Sequence, residues 1–211
     1  MQGLIGRKIG MTRIFNKESG VAIPITIIHT GMNIVQQIKT VENDGYQAVQ
    51  LGFDVCAEKK IKKPVLGHMK KHNSEPTKIT KEFQLDSPDE DVSSGQRIGV
   101  ELFESVQYVD VIGTTKGRGF AGTVKKYGFH IGRKTHGNTN RRARGSLGAG
   151  TYPGRVFPGL KMAGQYGNKR ITAKGLEIID IDKEAGLLYV KGCIPGHTRS
   201  IVLIRKNSDK L

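Results

Sequence analysis

Residues 111–170 contain no Asp or Glu and thirteen Lys or Arg. The chemistry open to such a stretch is the neutralisation of polyphosphate. Lys116, Arg118, Lys125, Lys126, Arg133, Lys134, Arg155, Lys161, Lys169 and Arg170 are spread along it, and Arg141, Arg142 and Arg144 form its densest cluster. With no acid nearby, those three repel one another until an outside anion intervenes. Guanidinium is also the side chain best shaped for bidentate phosphate contact and for stacking on bases. His136 reads as a further polar contact. Tyr127, Phe129 and Tyr152 are candidates to stack on bases, whereas Phe120 and Phe157, near the ends of the stretch, read as packing residues. Fourteen of the 28 glycines fall here as well, which lets backbone approach phosphate closely.

Other chemistries fit less well. Gly117-Arg118-Gly119-Phe120-Ala121-Gly122 matches the G-x-G-x-x-G pattern of dinucleotide sites. That pattern needs a helix directly after it and an acid about 20 residues on. Here Gly128 and Gly132 interrupt the helix and no acid comes before Glu177. His68 and His72 have the i, i+4 spacing of two metal ligands, but Met69, Lys70 and Lys71 between them supply no general base and no cysteine pair completes a site. No nucleophile-elbow pattern or hydrolytic triad can be assembled. The expectation is a non-enzyme with no catalytic residue, no metal, no cofactor and no small-molecule substrate.

The elements that must hold the basic stretch read as β-structure. Segments 21–29, 33–39 and 46–52 are short and rich in β-branched or alternating apolar residues, with Asn43-Asp44-Gly45 as a hairpin signal between the last two. Segments 97–103, 107–112, 176–181, 187–191 and 201–205 follow the same pattern, with Glu184-Ala185-Gly186 turning one pair. Short strands joined by tight turns predict a mainly β fold, a small closed barrel or a sandwich rather than a βαβ sheet. Two insertions interrupt it. The first opens with Lys59, Lys60, Lys62 and Lys63, includes a short helix over about 64–72, and closes with an acidic, Ser-rich segment at 86–95; it reads as a small α+β module. The second is the basic stretch, entered from one strand and left into another, and so expected to project as a long extended finger loop. The boundaries predicted are 1–54, 96–119 and 164–211 for the barrel core, 55–95 for the module and 120–163 for the finger.

Composition narrows the partners. Residues 1–110 hold fourteen basic and fourteen acidic side chains and residues 171–211 seven and five, so thirteen of the fifteen net positive charges lie in one piece. Nucleic acid and anionic membrane both attract such charge. A membrane-surface helix is disfavoured by glycine at nearly one residue in four, and the most apolar run, 21–28, is far short of the roughly 20 residues that cross a bilayer. Residues 1–15 show no apolar core of a secretory signal. Cys56 and Cys193 read as free thiols of a reducing compartment. Residues 131–154 hold only Ile131, Leu147 and Tyr152 as large apolar side chains, too few to offset an ordering cost of roughly 1–2 kcal/mol per residue. That part is expected to order on a partner.

Longer motifs then point to a family. Gly3-Leu4-Ile5-Gly6-Arg7-Lys8-Ile9-Gly10-Met11-Thr12 opens the chain, and Val109-Asp110-Val111 leads into Gly113-Thr114-Thr115-Lys116-Gly117-Arg118-Gly119-Phe120-Ala121-Gly122. Thr135-His136-Gly137-Asn138, Arg144-Gly145-Ser146, Pro153-Gly154-Arg155-Val156-Phe157 and Lys161-Met162-Ala163-Gly164-Gln165 follow in order. Together they resemble the large-subunit ribosomal protein L3 family in its bacterial form, along nearly the whole chain.

The resemblance implies a translation-protein-type barrel on 23S ribosomal RNA, in the large (50S) subunit of the cytoplasm. It also implies a role in early subunit assembly, a finger reaching toward the peptidyl-transferase region with its tip at 145–153, and neighbours such as proteins L14 and L19. A free-standing architectural RNA- or DNA-binding protein shares the charge pattern and is the alternative. Two departures stand out. Lys125-Lys126-Tyr127-Gly128 replaces the family's frequent Lys-Arg-Trp-Asn, a point charge in place of a bidentate fork. Ala149-Gly150-Thr151-Tyr152 lacks the Gln that some relatives methylate.

Overall fold

The computed structural model describes residues 1–16, 20–85 and 92–207. The chain divides into two compact units, Met1–Thr115 with Arg170–Leu211, and Lys116–Lys169.

The first unit is built on a closed barrel of six antiparallel strands in the order β1-β12-β7-β10-β11-β2. These strands are β1 (Gly3–Phe15), β2 (Ala22–His29), β7 (Tyr108–Thr114), β10 (Arg170–Asp182), β11 (Leu187–Lys191) and β12 (Ile201–Lys206). The mainly β barrel read from the sequence is thus present. Its opening strand was not: residues 3–15 mix glycine with Arg7, Lys8 and Arg13, which hides the alternation. Adjacent Leu4 and Ile5 are both fully buried. Successive side chains point to opposite faces of a strand, so both faces of β1 are covered here. Gly3 is required by this packing, since a Cβ there would stand 2.0 Å from the Ile204 carbonyl oxygen.

β3 (Asn33–Lys39) and β4 (Ala48–Val55) do not enter the barrel. They form a second sheet in the order β5-β4-β3-β6 with β5 (Thr77–Gln84) and β6 (Arg97–Ile98). One buried amide joins the two sheets. Where β2 ends at His29, Asn33 takes its place beside β1. Ile5 N–H donates to Asn33 Oδ1 at 3.0 Å, and Asn33 Nδ2 donates to the carbonyls of Ile5 and Thr30, each at 3.1 Å. Val35, Val49, Leu51, Phe83 and Phe103 share one apolar core with Leu4, Ile28, Val111, Leu188 and Ile204.

Local expectations are adjusted at two places. Asn43-Asp44-Gly45 does connect a hairpin, but through a single helical turn, α1 (Val41–Asp44), closed by Gly45 at φ 81° donating to the Val41 carbonyl. The segment 97–103 is strand only at β6. It then becomes a 3-10 turn, Val100–Phe103, because Val100 and Phe103 are both buried and that turn brings i and i+3 to one side. The short helix of the side module is α2 (Lys63–Lys71), with Met69 as its buried residue. Of the acidic segment at 86–95, residues 86–91 lie outside the described residues.

β7 and β10 deliver the basic stretch. The chain leaves at Thr114 and returns at Arg170, and these two residues are register partners. Further along this pair the ladder shifts between Ala173 and Leu176. Asp110 Oδ1 pins that irregularity, accepting from Gly175 N–H at 2.7 Å and Asn207 Nδ2 at 2.8 Å.

Candidate nucleic-acid interface

The second unit, residues 116–169, gathers sixteen of the seventeen candidate contact residues; Arg170 is the first residue of β10 in the barrel unit. Its base is a short ladder. β8 (Phe120–Ala121) pairs with β9 (Gly164–Gln165), and the pairing extends through Arg118 N–H donating to the Tyr166 carbonyl at 2.8 Å and Tyr166 N–H donating to Gly119 at 2.9 Å. Gly167, at φ 71°, lies so close to Lys116 that a Cβ would stand 2.0 Å from its carbonyl oxygen. This close approach brings Lys116, Arg118 and Lys169 to one end of the unit. The Arg118 guanidinium lies over the Tyr166 ring, 5.2 Å from its centre.

From β8 the chain enters α3 (Thr123–Tyr127), stopped by Gly128 at φ 71°, whose N–H donates to the Val124 carbonyl. The helix presents Lys125 and Lys126 in its last turn, where cations suit the helix dipole. Lys126 Nζ lies 5.0 Å and Lys161 Nζ 5.9 Å from the centre of the Tyr127 ring, and Phe129 packs obliquely against that ring at 6.1 Å. Four sequence candidates therefore form one cluster, two ammonium groups around paired aromatic rings.

A second loop is closed by amides. Gly132 N–H donates to the Arg141 carbonyl at 2.9 Å, Asn138 Nδ2 donates to the Arg133 carbonyl at 2.7 Å, and Asn140 N–H donates to Asn138 Oδ1 at 3.1 Å. The turn reverses at His136 and Gly137, both left-handed at φ 60° and 68°. Arg133, Lys134, His136 and Arg141 are thereby held on one loop, all exposed. Arg142 is also exposed. Arg144 is half-buried, its Nε and Nη1 withdrawn from water and met by no acceptor. Beyond it, Ser146 Oγ donates to the Gly148 carbonyl at 2.9 Å, the Tyr152–Pro153 bond is cis, and Leu147, Gly148, Gly150, Gly154, Arg155 and Val156 line a cavity of about 310 Å³.

Most of the candidates face solvent. Among them only Lys126, Phe129 and Arg144 are half-buried, and Tyr152 is 88% exposed. Phe120 and Phe157 do not pack as expected: they are 78% and 56% exposed. They belong with the stacking candidates, and their setting in a basic, acid-free segment was the signal for that. In the whole unit only Ala121 and Thr123 are buried.

Outside this unit, His68 and His72 are held in structural contacts. His68 shares a hydrogen bond of 2.9 Å with the Gln50 side chain and meets His72 edge-on at 4.9 Å between ring centres. Burial, then the neighbouring charges of His68 and Lys71, pushes the His72 imidazole below its ordinary pKa. Cys56 and Cys193 are free. Among the described residues no helix is long and apolar enough to cross a membrane, and no three His, Cys, Asp or Glu gather as a metal set.

Comparison with known proteins agrees with these motifs. The family model described as "Ribosomal protein L3" matches residues 82–187. A protein of Thermotoga petrophila named "Large ribosomal subunit protein uL3" is 51% identical over 205 residues, covering 97% of each chain. Proteins of the same name from Picosynechococcus sp. and Petrotoga mobilis are 49% and 44% identical, covering 96% and 98% of this chain and 94% and 95% of their own.

Proposed function

The chain belongs to the ribosomal protein L3 family and is a large-subunit ribosomal protein, and from that premise we propose that it binds 23S rRNA directly through residues 116–169. The observation that carries this reading is the makeup of that unit. It holds twelve Lys or Arg, no acid, and only two buried residues, Ala121 and Thr123. So small a buried set cannot offset an ordering cost of roughly 1–2 kcal/mol per residue. The partner that orders it must therefore supply the missing energy, and a cationic unit with no acid of its own selects a polyanion.

Within this reading the barrel supplies the folded anchor. The loop at 132–141 and the arginines after it supply phosphate contacts, which position the protein without reading sequence. Phe120, Tyr152 and Phe157 supply flat faces for unstacked bases, because single-stranded loops and bulges are where RNA exposes them. The unit serves as a finger that extends toward the peptidyl-transferase region, with its tip at 145–153. The protein acts in early subunit assembly, in the cytoplasm, with L14 and L19 as neighbours. Its role is structural rather than catalytic.

Binding of the full chain and of a version lacking residues 128–157 to large-subunit rRNA fragments and to unrelated duplex RNA, across a salt series, tests this. If half of the twelve cations meet phosphate, log K falls with log salt at a slope of about −4 to −5. Selective binding that loses most of its slope in the shortened chain is the expected result. Equal affinity for every RNA would replace this reading with that of a general architectural binder.

A further inference from the structure

The side module carries a second concentration of charge, hidden by the even balance of the first 110 residues. Residues 57–72 contain six lysines and one acid, Glu58. Glu58 is taken by Lys70 at 3.1 Å. Lys59, Lys60, Lys62, Lys63 and Lys71 are exposed and make no ion pair among the described residues.

The local sequence of α2 runs against helix stability in two ways that the fold does not require. Lys62 stands at the N-cap with no side-chain cap, and no acid lies in the first turn, so Lys62 and Lys63 sit at the positive end of the helix. Gly67 occupies mid-helix, where Ala is strongly preferred. No close contact calls for it, since a Cβ there would meet nothing within 4 Å. At about 100° per residue, Gly67 lies about 200° around the axis from buried Met69, on the outward side. Lys63 stands one turn before it and Lys70 and Lys71 about one turn after. Local choices that conflict with the fold and serve nothing inside it mark a surface shaped for something outside.

We propose that the outward face of α2, with the turn before it, is a second rRNA contact, where an RNA backbone lies against the bare helix at Gly67 and the lysines neutralise its phosphates. This inference rests on the rRNA-binding reading above and adds to it a surface on the other unit. Lysine is depleted from the centres of protein–protein interfaces, which favour aromatic residues, Met and Arg. A face made of five lysines and a glycine, with Val65 as its one exposed large apolar side chain on the helix, therefore fits nucleic acid rather than a protein.

Three full-length variants test it in the same rRNA salt series. Lys59, Lys60, Lys62, Lys63 and Lys71 are changed together to Gln in the first, Gly67→Ala is the second, and Arg141, Arg142 and Arg144 to Gln form the third. Far-UV circular dichroism and Tm check folding. The lysine variant is expected to keep its Tm, bind about tenfold or more weakly at low salt, and lose about 2–4 from its slope, as three to five phosphate contacts predict. Gly67→Ala is expected to raise Tm yet weaken binding, a combination a purely structural glycine would not produce. An unchanged slope in the lysine variant, beside a reduced one in the arginine variant, would overturn the second contact and leave the first standing. Unchanged slopes in both would overturn the rRNA reading itself. An unchanged slope with loss of a neighbouring protein on subunit reconstitution would reassign the face to protein. A lost slope in the lysine variant with unaltered affinity in Gly67→Ala would overturn the close approach at the helix.

Discussion

Replacing Asn33 with Ala removes the one side chain that substitutes for a missing strand. Its amide satisfies Ile5 N–H and the carbonyls of Ile5 and Thr30, and Asn33 and Ile5 are both inaccessible to water. A neutral hydrogen bond contributes about 1 kcal/mol net, but a buried group left without a partner costs about 1–3 kcal/mol. The orphaned Ile5 N–H has no second option. The two carbonyls lose their donor as well, but an under-satisfied carbonyl is tolerated more readily than an orphaned N–H. The expected loss is about 3–5 kcal/mol, a large share of the roughly 5–15 kcal/mol that holds a typical domain together. Urea unfolding followed by circular dichroism reads it as a lower midpoint at unchanged slope. Asn33→Asp should be no milder: a carboxylate still accepts from Ile5 N–H but turns negative oxygen toward two carbonyls. Asn33→Ala should leave the rRNA salt slope of the folded fraction alone, since Asn33 is buried and belongs to neither proposed rRNA surface. A loss below about 1 kcal/mol would refute the idea that this amide closes the barrel edge.

Phe120→Ala should hardly move Tm, given 78% exposure, yet weaken rRNA binding by the roughly 1–3 kcal/mol of a base-stacking platform, read by titration; undiminished affinity would return Phe120 to an idle surface residue. Asp54 accepts from Arg7 at 2.9 Å and Lys78 at 3.1 Å. Burial pushes its carboxyl up, but the hydrogen bonds from Lys78 and Arg7 outweigh that and hold it below the ordinary value. The folded state then binds fewer protons than the unfolded one, so this stabilisation is complete above the ordinary Asp pKa and fades as pH falls through the lower folded value. Asp54→Asn should flatten the acid limb of a stability–pH curve by under about 1 kcal/mol, because both cations are substantially exposed. Asn also tolerates the left-handed backbone there, φ 66°, so a loss that persists in acid below the folded pKa, or one well above about 1 kcal/mol at neutral pH, would contradict the assignment. Changing Arg141, Arg142 and Arg144 together to Ala should lower the yield of assembled subunits more than the rate of peptide-bond formation in those that assemble; normal yield with slow transfer would reverse that order.

The parts of this protein that could be read in advance are those where chemistry is written locally. Leu187–Lys191 and Asn33–Lys39 alternate or crowd β-branched side chains, and both strands fall on the expected residues. The acid-free stretch announces its charge without any knowledge of structure. What stayed hidden depends on partners distant in sequence. β1 is a strand because β2 and β12 supply its ladder, and glycine at position 3 is explained only by the Ile204 carbonyl against it. β3 carries a good strand pattern, but the pattern is silent on which sheet it joins; that is settled by a polar residue, Asn33, buried because β2 stops short of Ile5. Phe120 and Phe157 illustrate the converse, since an aromatic residue in a sequence looks the same whether or not anything covers it. Charge was misleading at a larger scale. Fourteen bases against fourteen acids in residues 1–110 suggests a neutral half, yet Lys59 to Lys71 concentrate one sign on a short helix and the turn before it. Net charge describes a domain's long-range field, whereas binding is decided within about one Debye length, roughly 8 Å in physiological salt. A neutral total therefore carries no argument against a local site, and α2 has to be judged on the lysines around Gly67 alone.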